Sequence, residues 1–178
     1  EAEHSEHVFV LSIKLFEKLR PIHRLNSHAL YLLKCAAVLH DIGWTQGQKA
    51  HHKTAMRMIL DDRRLPFDEA ERNRVACIAR YHRKALPSPD HDVYPDLSET
   101  QRRQVQLLGG LLRIADGLDR THLSAVADVD VDCFGNRVEV RCQSRGPASA
   151  EMHAAKKKAN LFEIAAGVEM QFAATRIG

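Results

Sequence analysis

The spacing of apolar residues changes once along this chain, and the change divides it. In the first two-thirds they recur at helical intervals. Val8, Leu11, Leu15 and Leu19 fall at i, i+3, i+7 and i+11, and Leu30, Leu33 and Ala37 share one face of a second segment. From Val126 onward apolar and acidic residues alternate (VADVDVD), which is the period of a half-buried strand. A chain with this order folds first as a helical bundle and then as a small mixed unit.

Local signals place the elements. The first helix runs over 7–19 and is stopped by Pro21. Ser27 is the expected N-cap of a second helix through Leu39, with Gly43 as its stop. A short third helix covers 54–60. Asp68, with Glu71 three residues on, opens a fourth that closes at His82. Ser98 caps a fifth, with Glu99 in its first turn, running through Ala115 and closed by Asp116. Phe134-Gly135-Asn136 is a turn, and 137–143 alternates again, so 126–143 reads as a β-hairpin. A helix over 149–163 and a strand over 168–173 follow. The expected fold is mainly α, with a helical domain over 1–122 and a small C-terminal α+β subdomain (hairpin, helix, third strand) over 123–178.

Composition narrows the function. The formal charge is only +3 and its sources are interspersed, so a nucleic-acid surface is not expected. No apolar run approaches the roughly 18 residues of a membrane span. The four cysteines form no CxxC pair. Cys35 and Cys77 lie in apolar helical patterns and read as buried thiols, which favours a reducing, cytoplasmic setting. Cys133 and Cys142 could face each other across the hairpin. The polar, acidic start (EAEHSEH), without an initial Met, reads as a piece of a longer protein.

Eleven histidines is a high count for this length. His40-Asp41 end an apolar helix in VLHDIGW; alone, that dipeptide is weak evidence of a metal site. Its company strengthens it: His7 opens the first helix, His51-His52 precede the third, His82 closes the fourth and Asp116 closes the fifth. Antiparallel helices bring alternate ends to one side, so these ends can converge. Mixed imidazole and carboxylate donors suit Mn²⁺, Mg²⁺, Fe²⁺, Co²⁺, Ni²⁺ or Zn²⁺, and an open position would leave a water as nucleophile.

The order His7 … His40-Asp41 … Asp116 resembles the H…HD…D signature of the HD superfamily of metal-dependent phosphohydrolases. VLHDIGW, HHK at 51–53, RYHRKALP at 80–87 and LLRIADGLDRTH at 111–122 resemble the C-terminal HD domain of the exopolyphosphatase and guanosine pentaphosphate phosphohydrolase family, as does Glu151 followed by AAKKKANLFE. The resemblance implies an HD-type helical bundle that holds one or two divalent ions. It also implies a phosphate-containing small molecule or polyphosphate as ligand, an actin-like phosphatase domain as partner, and a homodimer. The resemblance implies that the family's catalytic machinery lies on an actin-like double domain, which is not expected within these residues, and that some members have lost the metal ligands of the HD domain.

The expected roles follow. His7, His40, Asp41 and Asp116 are the ligands of one ion, and His51 or His52, with His82, could hold a second or contact phosphate. Asp41, His82 and Lys84 are the candidate catalytic groups. Lys53, Arg83 and Lys84 are candidate substrate-binding groups, and Asp119 and Arg120, about one turn beyond Asp116, either support it from behind or bind substrate. His4, His23, His28, His91, His122 and His153 are read as ordinary surface or loop residues, and Ile42 and Trp44 as core. Asp128, Asp130 and Asp132 are read as a solvated strand face, and Lys156, Lys157 and Lys158 as a solvated helix face. Three functions remain open: a metal-dependent phosphohydrolase, a non-catalytic polyphosphate-binding or dimerisation module, or a regulatory signalling domain that senses a nucleotide at the same site.

Overall fold

The computed structural model describes residues 2–47 and 49–177. It is mainly helical with one small sheet, as the change of period implies. The helices are α1 (Ala2–Lys18), α2 (Arg20–His23), α3 (Ser27–Leu39), α4 (His51–Asp61), α5 (Glu69–Arg80), α6 (Glu99–Leu118), α7 (Ser149–Lys158) and α8 (Asn160–Ala166), with short 3₁₀ helices at Ile42–Gln46 and Tyr94–Asp96. The strands are β1 (Val126–Phe134), β2 (Arg137–Ser144) and β3 (Glu169–Arg176).

Several boundaries differ from expectation. α1 begins at Ala2, five residues before the expected start, so His4 lies in its first turn. The N-cap of α3 is Asn26, whose side chain accepts from the Ala29 amide, so Ser27 is already helical. α4 starts at His51, which puts both adjacent histidines on a helix. α6 continues to Leu118, so Asp116 lies inside its last turn. The 149–163 helix breaks at Ala159 into α7 and α8. The capping box at Asp68 and Glu71 is present, and Ser98 forms a second one with Gln101.

Gly43 does not stop α3. That helix ends at Leu39, and Gly43 sits buried in the 3₁₀ helix that follows. It is required for packing: a Cβ there would stand 2.1 Å from the His51 carbonyl oxygen and 2.7 Å from the Ala55 amide nitrogen. Gly117 does the same service between α6 and α7, where a Cβ would stand 2.9 Å from Ala155 Cα.

One hydrophobic cluster runs from Leu11, Leu15 and Phe16 on α1 through Leu111 and Leu112 on α6 to Phe162 on α8 and Met170 on β3. The sheet order is β1-β2-β3, antiparallel then parallel. A bulge between Val126 and Asp128 rephases β1, so Val126 and Val129 are both buried. Across the hairpin Cys142 pairs with Val129 and Cys133 with Val138, so the two cysteines do not face each other; all four are free thiols. The aspartates of β1 are paired rather than simply solvated. Lys14 holds Asp128 at 2.7 Å, Lys18 holds Asp130 at 2.8 Å, and Arg141 reaches Asp130 and Asp132 at 3.1 Å each. No described helix is long and apolar enough to cross a membrane.

Candidate metal centre

The first turn of α1, the residues just after α3, the start of α4, the residues just after α5 and the last turn of α6 meet at one end of the bundle. They carry His4, His40-Asp41, His51, His82 and Asp116. His4 extends the α1 stripe back by one turn (4, 8, 11, 15), which is why it points inward and is buried. Three of these five ends are helix C-termini, whose partial negative charge favours a cation.

Asp41 is central. Its carboxylate oxygens lie 3.2 Å from His40 Nε2, 3.2 Å from His51 Nε2, 3.6 Å from His82 Nε2 and 3.8 Å from His4 Nε2. His4 Nε2 is also 3.3 Å from Asp116 Oδ1. Two sets of donor atoms, one each from His4, His40 and Asp116, and one each from His40, Asp41 and His82, lie within 4.8 Å of one another.

The far side of three of the four imidazoles is anchored. His40 Nδ1 donates to the Ala37 carbonyl at 2.7 Å, and His82 Nδ1 to the Ala79 carbonyl at 2.6 Å. His4 Nδ1 pairs with Asp119 Oδ2 at 2.7 Å, and Asp119 in turn accepts from the Ser124 amide at 2.8 Å. Anchoring Nδ1–H leaves Nε2 unprotonated and turned into the site, the arrangement of metal-ligating histidines. His40 Nε2 is fully buried and has no hydrogen bond. An acceptor nitrogen in that position is costly unless it meets a cation or a donor. The donor set therefore fits a divalent metal.

Charge states agree with this. Burial pushes the Asp41 carboxyl up, but His40, His82 and His51 outweigh it and hold the group well below the usual carboxylate range. Burial, with His40 nearby, drives His82 far down despite Asp41. Burial and the cations Arg83 and Arg80 bring His52 down to about 4. His82 is thus neutral and Asp41 ionised near pH 7, as ligation requires.

The structure separates the sequence-derived candidates. It brings together His40, Asp41, Asp116, His51 and His82. It does not include His7, which lies one turn along α1, half-buried between Asp119 and the Val126 backbone; His4 takes that place. His51 faces Asp41, whereas His52 turns into a neighbouring pocket of about 500 Å³. Lys49, Lys53, Arg80, Arg83 and Lys84 also line that pocket, so Lys53, Arg83 and Lys84 are together but beside the donor cluster. Arg83 Nη1 comes to 3.2 Å from His51 Nε2 and links pocket to centre. Lys84 is exposed at the pocket rim and is not among the donor atoms around Asp41. Asp119 is fully buried behind His4, which it holds at 2.7 Å, the supporting position open to it in the sequence, and Arg120 is exposed.

Other residues reach the centre unannounced. Trp44 stacks on His51 with ring centroids 4.7 Å apart, and His122 stacks on His4 at 3.8 Å. Buried Glu151 accepts from Thr121 Oγ1 at 2.6 Å and from the Thr121 amide at 3.2 Å, fixing the loop that carries His122 and Ser124. Lys158, expected on a solvated helix face, instead sends its ammonium to Asp116. Burial, Arg113 and Arg83 lower its pKa to about 7, against the pull of Asp41. His4 was legible as a continuation of the α1 stripe, whereas Lys158 carried no signal, because its position depends on how α7 packs on α6.

A family model described as Ppx/GppA phosphatase, domain III, matches residues 1–160. No curated protein matches the chain.

Proposed function

The chain belongs to the Ppx/GppA phosphatase domain III family, and on that premise we propose that it is an HD-type, metal-dependent phosphohydrolase acting on a phosphoester or phosphoanhydride of high negative charge, such as polyphosphate or a phosphorylated nucleotide. The observation that carries this reading is the convergence of His4, His40, Asp41, His51, His82 and Asp116, with the buried His40 Nε2 left without a hydrogen bond.

His4, His40, Asp41 and Asp116 would hold one divalent ion, and Asp41 with His51 and His82 a second. When bound, such an ion supplies Lewis acidity to a phosphoryl oxygen and makes a water more acidic. The rest falls to the chain. Asp119, Ala37 and Ala79 keep three imidazoles oriented from behind. Asp41, held ionised, supplies negative charge between the imidazoles and is too weak a base to take a proton itself. Arg83, beside His51, and the pocket cations Lys53, Arg80, Lys84 and Lys49 would bind phosphate oxygens and offset the charge that develops during transfer.

A second reading is a polyphosphate-binding module serving an actin-like phosphatase domain. The cationic pocket supports it, because that pocket suits an anion whether or not chemistry occurs next to it. The two readings part in one experiment: the metal-loaded chain is assayed for phosphate release from p-nitrophenyl phosphate, polyphosphate and guanosine pentaphosphate. Turnover that disappears in Asp41→Ala supports the enzyme. Tight polyphosphate binding without turnover in fully metal-loaded protein overturns the enzyme and leaves the module.

A further inference from the structure

Lys158 is the last residue of α7, and its ammonium pairs with Asp116 Oδ2. The other oxygen of that carboxylate, Oδ1, faces His4 Nε2 at 3.3 Å. The lysine therefore occupies one lone-pair side of a carboxylate whose other side belongs to the donor set. Its position is fixed from behind. Arg113, buried on α6, holds the Lys158 carbonyl through Nε at 3.4 Å and the Tyr81 carbonyl through Nη1 at 3.1 Å. Gly117 lets α7 lie close enough on α6 for the side chain to reach. Asp41, His82, Arg83 and Arg113 are the other charged or titratable groups that act on Lys158.

We propose that Lys158 is an internal counter-ion of the centre, one that a divalent cation has to displace from Asp116, so that this residue sets how tightly the chain takes metal. The inference rests on the metal-centre reading above. An ammonium and a divalent ion compete for the same carboxylate charge, and both are repelled when they share it. The metal draws on Asp116 through Oδ1 while the ammonium sits on Oδ2, so the two cations repel each other across one carboxylate and the partly exposed ammonium leaves Oδ2 for water. A lysine that only covered a helix face would neither meet Asp116 nor compete.

The test is titration of Mn²⁺ into the metal-free full chain by calorimetry at fixed pH, comparing wild type, Lys158→Met and Lys158→Arg. Lys158→Met, which keeps the length and removes the charge, is expected to bind at least tenfold more tightly, and Lys158→Arg to bind like wild type. Equal or weaker binding by Lys158→Met overturns the inference while leaving the metal centre standing. If neither wild type nor variant binds Mn²⁺, the metal reading and this inference fall together. A second readout needs no variant: reductive methylation of wild-type lysines followed by mass spectrometry. Labelling of Lys158 should rise several-fold with saturating Mn²⁺, and unchanged labelling in protein shown to hold Mn²⁺ counts against displacement.

Discussion

Replacing Gly43 with alanine probes how the centre is assembled, because this glycine is the point where the 3₁₀ helix touches α4. The added Cβ would stand 2.1 Å from the His51 carbonyl oxygen, 2.9 Å from the His51 carbonyl carbon and 2.7 Å from the Ala55 amide nitrogen. These are backbone atoms, so no side-chain rotation relieves the clash. Carbon and oxygen in van der Waals contact need more than 3 Å, so the two segments must part by roughly 1 Å. Overpacking of this kind costs about 1–3 kcal/mol, and a backbone clash belongs at the upper end. For a chain of this length, about 3 kcal/mol lowers Tm by roughly 6–12 °C. The displacement also falls on His51, whose Nε2 lies 3.2 Å from Asp41. Thermal melting followed by circular dichroism measures the first effect, and Mn²⁺ titration of the folded variant the second. Gly43→Ala should melt well below wild type and bind metal more weakly. A Tm within about 1 °C of wild type, with unchanged metal affinity, would refute the claim that Gly43 sets the approach of α4.

Further outcomes follow from particular contacts. His4→Ala should lose most of the Mn²⁺ affinity and His7→Ala should keep it; equal loss in both, measured by calorimetry, contradicts the assignment of His4. Asp119→Asn should weaken metal binding about 10- to 100-fold by loosening His4, with little change in secondary structure. Burial pushes the thiols of Cys77 and Cys142 up to about 12, so a thiol-exchange reagent at pH 8 should label exposed Cys133 quickly and those two only on unfolding. His23 is buried in its neutral form, with Nε2 donating to the Phe16 carbonyl at 2.8 Å and Nδ1 accepting from the Leu25 amide at 3.0 Å. Burial lowers its pKa, so below about pH 6.5 the unfolded chain takes up a proton that the folded chain refuses, and stability falls as pH drops toward the folded value. Denaturant midpoints at pH 7.5 and 5.0 should show a smaller acid loss in His23→Gln than in wild type.

Much of the fold was legible because it rests on local signals. The periods of 3.6 and 2 separated helices from hairpin, and the box at Asp68 and the cap at Ser98 marked two helix starts. The errors lay where tertiary contacts decide. The first turn of α1, AEHSEH, is polar on its outer face and hides the true helix start; its one inward residue is a histidine that Asp119, far away in sequence, makes tolerable. Gly43 looked like a helix stop, but its need for a bare Cα comes from α4, which sequence spacing does not describe. Within the centre, His40, Asp41, His51, His82 and Asp116 could be named from their places at helix ends. Which of His51 and His52 turned inward depended on where α4 begins. Lys158 was out of reach altogether, since it arrives through the packing of α7 on α6 at Gly117, and α7 itself looks like a solvated lysine run.

The most direct test of the account is the divalent-metal content of the purified chain, loaded with Mn²⁺ and dialysed against metal-free buffer, beside Asp41→Ala treated in the same way. The donor cluster around Asp41 predicts at least one equivalent of metal retained per wild-type chain and almost none in the variant, with both proteins folded by circular dichroism. A wild-type chain that retains no metal, or an Asp41→Ala chain that retains as much as wild type, would contradict a metal centre built from these helix ends.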